Sequence, residues 1–486
     1  MKAKSIILKT LLLLGGISIF LSACGEKKET PPTLSSYDDV AFVAAPSSSC
    51  GCESDWFPHT QTPGPKEGKG SPFDTTVTTN CMFQQWSYQK FLWLTKPVVS
   101  GNPLFLDSLK QVTNQMGTVT IPQGTEVALS SINQAGLDAV LQTIPAYSAD
   151  GETSDTIFYS IHINTTLENA ITAYGDSIQS GLLDKSNNAT FPIGSLETKV
   201  SWVSTTALPA DEVGDYYTTT AAIIQQNGSV VNKEVALLGM HVVGVVINHP
   251  EFIWATFEHN SLTPIFDWDS KTASSDTGTL IFASGTVSDL NGIRWPNGAA
   301  ATPDQAFGLY KYGVPITATN TYMETSQANE PKSNYDNIAN LNTCVQDSLT
   351  DVWENYQYDG AIWLNMDGLT PIQQADTLNA LYRHIKDATP GSMARGSVSS
   401  ANITMETFTQ TYQTQPTDID ASNLVNCFNC HRAAPDTGSD EIQSPLYLSH
   451  VYSGYIEVLR GKTPDQIERE KLAAFMQVMK VEAKEK

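Results

Sequence analysis

The segment Cys427-Phe428-Asn429-Cys430-His431 constrains the fold more than any other feature of the chain. Two thiols three positions apart, followed at once by a histidine, are typical of covalent c-type haem attachment, in which the histidine ligates the iron. The competing interpretation is a zinc site, because cysteine and histidine are also zinc ligands. The chain of 486 residues ends 55 residues after His431, so part of the surroundings of such a haem must come from earlier sequence.

The N-terminal residues predict export from the cytoplasm. Three lysines within the first nine residues precede an apolar core, Leu11–Leu21, that is too short to span a bilayer as a helix. The core ends at Leu21-Ser22-Ala23-Cys24, which is typical of a bacterial lipoprotein signal; an ordinary signal peptide or a retained anchor are the alternatives. We therefore predict a signal peptide over residues 1–23, lipidation of Cys24, and a place at the bacterial cell envelope, on the outer membrane and facing the periplasm or the cell surface. Haem c is matured outside the cytoplasm, so export favours haem over zinc.

The acidic composition limits the classes of partner. The net charge is −23, and removal of the three leader lysines makes it −26. Such a surface argues against nucleic acid and against adhesion to anionic headgroups by charge. The partners we predict are a membrane, reached through the lipid anchor, and a redox protein whose identity the sequence does not give.

The seven cysteines divide into three sets. Cys24 is assigned to lipid and two cysteines to haem, which leaves Cys50, Cys52, Cys81 and Cys344. An even remainder in an oxidising compartment predicts disulfides, and three pairings are possible. A Cys50–Cys52 bridge closes a very tight ring, so we expect one or both of these residues to reach Cys81 or Cys344. A copper or zinc site that combines Cys50 and Cys52 with His59 is the alternative.

The sequence predicts an α+β fold with four segments: the signal peptide, a flexible tether over residues 24–75, a mainly β body over residues 76–345, and a helical cytochrome c-like haem module over residues 346–486. The body is expected to be an antiparallel sandwich or barrel, because runs of β-branched and aromatic residues follow one another without amphipathic helices. Asn227-Gly228 is a strong hairpin-turn signal between two of them. The runs are Thr156–Asn164, Lys199–Thr205, Tyr216–Gln226, Val235–Ile247, Phe252–Phe257 and Thr279–Ala283.

Helices are predicted on both sides of this body. An aromatic-rich segment that begins at Asn80 and ends near Leu94 is typical of a buried helix. Asp367–Ala388 carries apolar residues at spacings of three and four. Thr463-Pro464-Asp465-Gln466 has the pattern of a capping box, with proline at the first helical position.

The sixth ligand of the iron is predicted less directly. His450 is the leading candidate for haem and iron binding beside His431, because it follows the attachment motif closely in an apolar setting. The alternative for His450 is simple packing or a hydrogen bond to a haem propionate. Methionines are rival ligands whose usual role is core packing. The rivals are Met393, Met405, Met476 and Met479.

A second cluster of polar residues lies on one predicted hairpin. If Asn248–Glu251 is its turn, Met240 lies opposite His259 and His241 opposite Glu258. Such a hairpin could supply a metal site, a haem ligand or an acid–base pair. The alternative is that these residues are satisfied within a sheet, since adjacent strand positions face opposite sides.

Several islands of sequence resemble a family of exported bacterial proteins described only as cytochrome c-like. The islands are Trp86–Tyr88, Phe91–Thr95, Ala236–Val246, His249–His259 and the haem motif, and the resemblance runs from about Cys81 to His450. It implies a monohaem protein of the cell envelope and supplies neither a substrate nor catalytic residues.

Three functions are compatible with these observations. The leading one is a lipid-anchored c-type cytochrome that carries one covalent haem and transfers electrons. The size of the chain favours a second, a haem-dependent oxidoreductase with a substrate site in the β-rich body. The third is a surface lipoprotein that binds carbohydrate through tryptophans such as Trp86, Trp93, Trp254 and Trp295.

Overall fold

A computed structural model of the chain describes residues 50–131, 143, 155–225, 227–262, 266–267, 272–273, 311–314, 334–380, 393–398, 400, 402, 404–406, 426–435, 442–467 and 469–470. Residues Pro46–Lys486 cluster as one compact unit. Some predictions lie outside the described residues: the signal peptide, the lipidated Cys24, the strand Thr279–Ala283, and the side chains of Trp295, Met476 and Met479.

The described residues contain seven α-helices and eleven β-strands. The helices are α1 Asn80–Thr95, α2 Leu104–Ser108, α3 Thr165–Gln179, α4 Asn334–Gln346, α5 Pro371–Ala380, α6 Cys427–Cys430 and α7 His450–Leu459. The strands are β1 Lys110–Val112, β2 Val127–Leu129, β3 Phe158–Ile163, β4 Leu196–Ser204, β5 Thr218–Ile224, β6 Val230–Val246, β7 His249–His259, β8 Phe266–Asp267, β9 Thr272–Ala273, β10 Tyr356–Leu364 and β11 Ala394–Gly396.

Within the described ranges, nine of these strands form one sheet in the order β1-β3-β4-β6-β7-β10-β11, and β8 pairs only with β9. β5 pairs with the first half of β6, and β2 pairs with β5 in the only parallel arrangement of this sheet. Ser131, two residues after the end of β2, forms an isolated antiparallel bridge with Tyr159 of β3. The strand pairing therefore runs from β3 through β4, β6, β5 and β2 and then reaches β3 again. The β-rich α+β class is therefore confirmed. The expectation was a sandwich or barrel; the described strands form one large sheet with helices on its faces, and no second large sheet is found among them.

The predicted strand pattern is confirmed for five runs, which correspond to β3 to β7. The Asn227-Gly228 turn joins β5 to β6, with Gly228 at a φ of 80° that favours glycine. α3 was not predicted. Its N-cap is Asn164, whose side chain accepts a hydrogen bond from the amide of Leu167.

One face of the sheet packs against α1 and α4. In α1, Phe83 stacks on Trp363 with ring centroids 4.1 Å apart, and Phe91 stacks on Phe257 at 4.0 Å. The aromatic-rich segment is therefore a buried helix, as predicted. Burial of such rings is the largest apolar contribution available to this side of the core.

Residues 50–75 pack against the α1 side of the sheet. They were predicted to be part of a flexible tether. Trp56 and Phe73 are buried there. Disulfides join Cys50 to Cys81 at the start of α1 and Cys52 to Cys344 in α4. The expectation that Cys50 and Cys52 reach the two later cysteines is confirmed.

The other face of the sheet is covered by α3, α5, α7 and the segment that contains α6. One apolar cluster joins Val243, Phe252, Ile362, Phe428 and Val451 across these elements. Residues after 345 also contribute β10 and β11 to the sheet. The boundary predicted between residues 345 and 346 thus falls inside one compact unit.

Candidate functional site

The cysteines of the attachment motif lie on one helical turn, α6. Asn426 caps this turn by accepting a hydrogen bond from the amide of Phe428 at 2.9 Å. The amide of His431 donates to the carbonyl of Cys427 at 2.8 Å and so continues the turn. Neither Cys427 nor Cys430 is in a disulfide, and both are half-buried. A spacing of three residues on a helical turn directs both thiols to the same side.

The imidazole of His431 has Leu448, Trp254 and His450 among its neighbours. Its Nδ1 donates to the carbonyl of Leu448 at 2.9 Å. Because a carbonyl only accepts, the hydrogen lies on Nδ1 and Nε2 has a lone pair suited to a metal. The ring also contacts Trp254 of β7, with centroids 4.0 Å apart, and His450, at 3.8 Å. Histidine ligands of metals commonly have their other nitrogen bonded in this way.

His450 lies close to His431, as the sequence led us to expect, but the two rings are stacked with 18° between their planes. Ligands on opposite sides of one iron direct ring edges toward a common point, whereas these rings lie face to face. The Nε2 of His450 is 3.3 Å from the carbonyl of Cys430. Iron ligation by His450 stays a prediction, and it requires this ring to turn.

The rival methionines are divided between clusters. Met393 packs in the apolar cluster that contains Cys427 and Phe428. Met405 is buried in a different cluster. Of the two rivals among the described residues, Met393 is therefore the one that shares the surroundings of the motif.

The hairpin register differs from the prediction by two residues. His241 lies opposite Thr256 and Met240 opposite Phe257. The turn comprises Ile247 and Asn248, which has a φ of 65°, and the register shifts between Gly244 and Val246. The predicted pairs His241–Glu258 and Met240–His259 are therefore wrong, because the turn comes earlier than predicted and the bulge restores only half of the resulting offset.

The cluster also divides between the two faces of the sheet. Met240 and His259 face the α1 side; Met240 belongs to that core, and His259 stacks on Tyr216 at 3.6 Å. Burial lowers the pKa of His259 to about 4, although its bond to the carbonyl of Asp215 opposes the change. Met240 and His259 are thus separated by the sheet from the attachment motif. His241 is on the face that meets it.

His241 contacts a carboxyl group on that face. Its Nε2 is 2.8 Å from Oε1 and 3.0 Å from Oε2 of Glu406. Burial works against ionisation of Glu406, but His241, the amide of Asn402 and the nearby Lys199 together hold the pKa of Glu406 below its usual value. The thiol of Cys427 has a pKa well above its usual value, first because of burial and then because of the negative charge of Glu406. Glu406 thus lies within electrostatic reach of the motif.

Two buried carboxyl groups lie further along the same face. Glu258 and Asp359 are 0% and 7% exposed, and a bulge in β10 brings Asp359 beside Glu258. Burial first, and then the charge of Glu258, raise the pKa of Asp359 well above its usual value, while a hydrogen bond from Gln357 opposes the rise. Burial beside Glu258 thus favours the protonated form of Asp359.

Other arrangements that the sequence left open are not found. Cys50 and Cys52 are in disulfides, and His59 bonds to Asp351 at 2.7 Å, so the predicted copper or zinc site at these residues is wrong. In the part of the chain that the structure describes, no group of three His, Cys, Asp or Glu side chains is arranged to hold a metal ion. No helix in those same ranges has the length and apolarity needed to cross a membrane.

Several residues of the site were not predicted as such. They come from four distant parts of the chain and are Trp254, Leu448, Glu406 and Asp359. Only the alternation of apolar residues along β7 indicated which face of the sheet Trp254 lies on. No protein-family model matches the chain, and neither the curated proteins nor the solved structures contain a match. The surroundings of His431 are therefore the basis for a function.

Proposed function

We propose that Cys427, Cys430 and His431 attach a single c-type haem and that the protein transfers electrons at the bacterial cell envelope. The observation that carries the proposal is the hydrogen bond from Nδ1 of His431 to Leu448, beside two thiols on one helical turn. It leaves Nε2 as the nitrogen for iron, which is the orientation that an axial ligand requires.

The residues around the motif fit this cofactor. Phe428, Trp254 and Met393 provide apolar surface, as a haem ring requires. A zinc site is less well supported, because the Cys and His side chains described at and beside the motif are not arranged as a group that could hold a metal ion. Covalent attachment also suits a site with half-buried thiols that are not paired with each other.

When bound, the haem supplies one-electron chemistry between ferric and ferrous iron. The chain fixes the ligand: Leu448 sets the tautomer of His431, and Trp254, on a central strand, restricts rotation of its ring. A ligand that does not reorient keeps the reorganisation on electron transfer small. This favours an electron carrier.

The proposal includes a location and a partner. Lipidation of Cys24 would hold the protein at the membrane, on the outer membrane in our proposal. The net charge of −23 supports docking to a redox protein that presents a basic surface.

Haem attachment is tested by expressing the chain together with a bacterial cytochrome c maturation system. The wild type is expected to keep its haem on a denaturing gel, since thioether bonds survive unfolding. Cys427→Ser combined with Cys430→Ser should lose it. Cys50→Ser combined with Cys81→Ser, which removes two cysteines of a disulfide elsewhere, should keep it. Wild-type protein without thioether haem absorption would contradict the proposal.

A haem-dependent oxidoreductase is the second candidate. The ionisable residues His241, Glu406 and Lys199 favour it, because they lie on the same face as the motif and could serve acid–base chemistry. Rapid binding of carbon monoxide to the reduced protein would support an open sixth position and this candidate. Two firm axial ligands would support the carrier.

Carbohydrate binding by the tryptophans has less support. Trp86 is buried, Trp93 packs beside the ammonium of Lys90 at 4.8 Å, and Trp254 is covered by His431. Sugar-binding tryptophans present one ring face to solvent. Trp86 is too buried for this role, and Trp93 and Trp254, which are half-buried, each have a neighbour packed on the ring.

A further inference from the structure

We propose that His241 and Glu406 form a proton-exchange site coupled to the oxidation state of the iron that His431 would hold. The inference rests on the proposed function and adds a regulation to it: the affinity of the protein for an electron depends on pH through this pair. Of the predicted hairpin residues, His241 and Glu258 lie on the face of the sheet that meets the attachment motif.

The geometry links the pair to the motif through one side chain. His241 lies opposite Thr256 on β7, and Trp254 is two residues from Thr256 on the same face. Diagonal neighbours in a sheet lie about 7–8 Å apart, within reach of an aromatic side chain. Trp254 in turn contacts the ring of His431 at 4.0 Å. The pair and the ligand are thus separated by a single indole.

Charged groups face the pair from each neighbouring element. Lys199 on β4 lies directly opposite His241 in the sheet, and Glu258 on β7 lies diagonally from it. Asp359 on β10 lies next to Glu258.

These groups differ in their exposure to solvent. Glu258 is fully buried, whereas the side chains of His241 and Glu406 are 18% and 32% exposed. Protons from water can therefore reach His241 and Glu406, but not the buried carboxyl pair.

The coupling is electrostatic. A one-electron donor, such as a redox protein or dithionite, reduces ferric to ferrous iron and adds one negative charge; one proton from water then goes to the His241–Glu406 pair. At a separation on the order of 10 Å and an effective dielectric constant near 20, a unit charge changes the proton affinity of the pair by about tenfold. By thermodynamic linkage, protonation of the pair changes the affinity of the iron for an electron by the same factor.

The experiment measures the midpoint potential of the purified haem protein as a function of pH. In the wild type, the potential should fall as the pH rises, by at most about 59 mV per pH unit over the range in which the pair titrates. His241→Gln keeps a hydrogen bond to Glu406 but cannot take a proton, so this slope should fall to less than half. Glu406→Gln should have the same effect.

The matched control is His59→Gln. His59 makes a similar pair with Asp351, at 2.7 Å, on the α1 side of the sheet. Its removal should leave the slope unchanged. An equal slope in the wild type, His241→Gln and Glu406→Gln, all with full haem content, would overturn the inference and leave the proposed function standing. Absence of covalent haem from the wild type would overturn both.

Discussion

Successive side chains of β6 and β7 point to opposite faces of the sheet. This alternation determines which of them lie on the same face as the attachment motif. Met240 and His241 are adjacent, yet the first packs against α1 and the second pairs with Glu406 on the opposite face. The same alternation directs Trp254 toward His431 and Phe257 toward Phe91. A polar substitution at Met240 should therefore affect the core, whereas one at His241 should affect the motif side.

The buried carboxyl pair predicts a loss of stability at higher pH. Since Asp359 has a pKa raised above its unfolded value, its contribution is fully present below about pH 4 and is lost as the pH rises through the raised value. Asp359→Asn should remove this loss and make the protein more stable than the wild type near neutral pH. Denaturant unfolding from pH 4 to 8 measures it. The exposed Asp184→Asn is the control, and a parallel wild-type and Asp359→Asn profile would contradict the prediction.

A buried histidine predicts the opposite dependence. His162 is 1% exposed, and burial lowers its pKa to about 3, so the native protein resists protonating it. Its contribution is present above an unfolded pKa near 6.5 and is lost as the pH falls toward 3, by as much as about 4 kcal/mol. His162→Gln should therefore flatten the acid side of the stability profile. If the free energy of unfolding of His162→Gln falls as steeply between pH 6 and 4 as that of the wild type, groups other than His162 determine the acid dependence.

Among the helices, α1 depends on ring stacking with the sheet. Phe91 is fully buried and contacts Phe257, Trp353 and Tyr88. Phe91→Ala should lower the free energy of unfolding by about 3–5 kcal/mol, because it leaves a cavity in a packed core. Ile372→Ala on α5, where the side chain is 71% exposed, should cost less than about 0.5 kcal/mol. Equal costs in denaturant titration would contradict this account of α1.

The elements that could be predicted are those with strong local signals. The runs of β-branched residues, the Asn227-Gly228 turn and the capping box formed by Thr463 and Gln466 agree with the structure. The hairpin register was missed because Pro250 suggested a turn, whereas it is the second residue of β7. β10 was missed because its Asp359-Gly360 step resembles a break and is in fact a bulge.

The candidate site illustrates the same limit. The motif itself is local, so the chemistry of Cys427 and His431 could be proposed from sequence. Its partners Leu448, Trp254 and Glu406 are brought together only by the register of the sheet and by the packing of α7. Long-range contacts of this kind leave no periodicity for a single sequence to reveal.

For the whole molecule, the two disulfides differ in the length of chain that they close. Cys52 and Cys344 are 292 residues apart, and Cys50 and Cys81 are 31 apart. In the chain-entropy model, the longer loop stabilises more, so Cys52→Ser with Cys344→Ser should cost about 5–6 kcal/mol and the other pair about 4. Thermal unfolding of the two double variants measures the order. A larger loss from the short loop would mean that native packing, not chain entropy, dominates.

The longer disulfide also makes most of the chain a covalent ring. A protease that cuts once anywhere between residues 53 and 343 opens this ring but releases neither piece, since Cys52 and Cys344 remain joined. Nicked molecules would therefore migrate as one species until a thiol reductant separates them. At the cell envelope, where we propose that the protein lies and where such bonds persist, a single cut in the backbone would therefore not release a fragment.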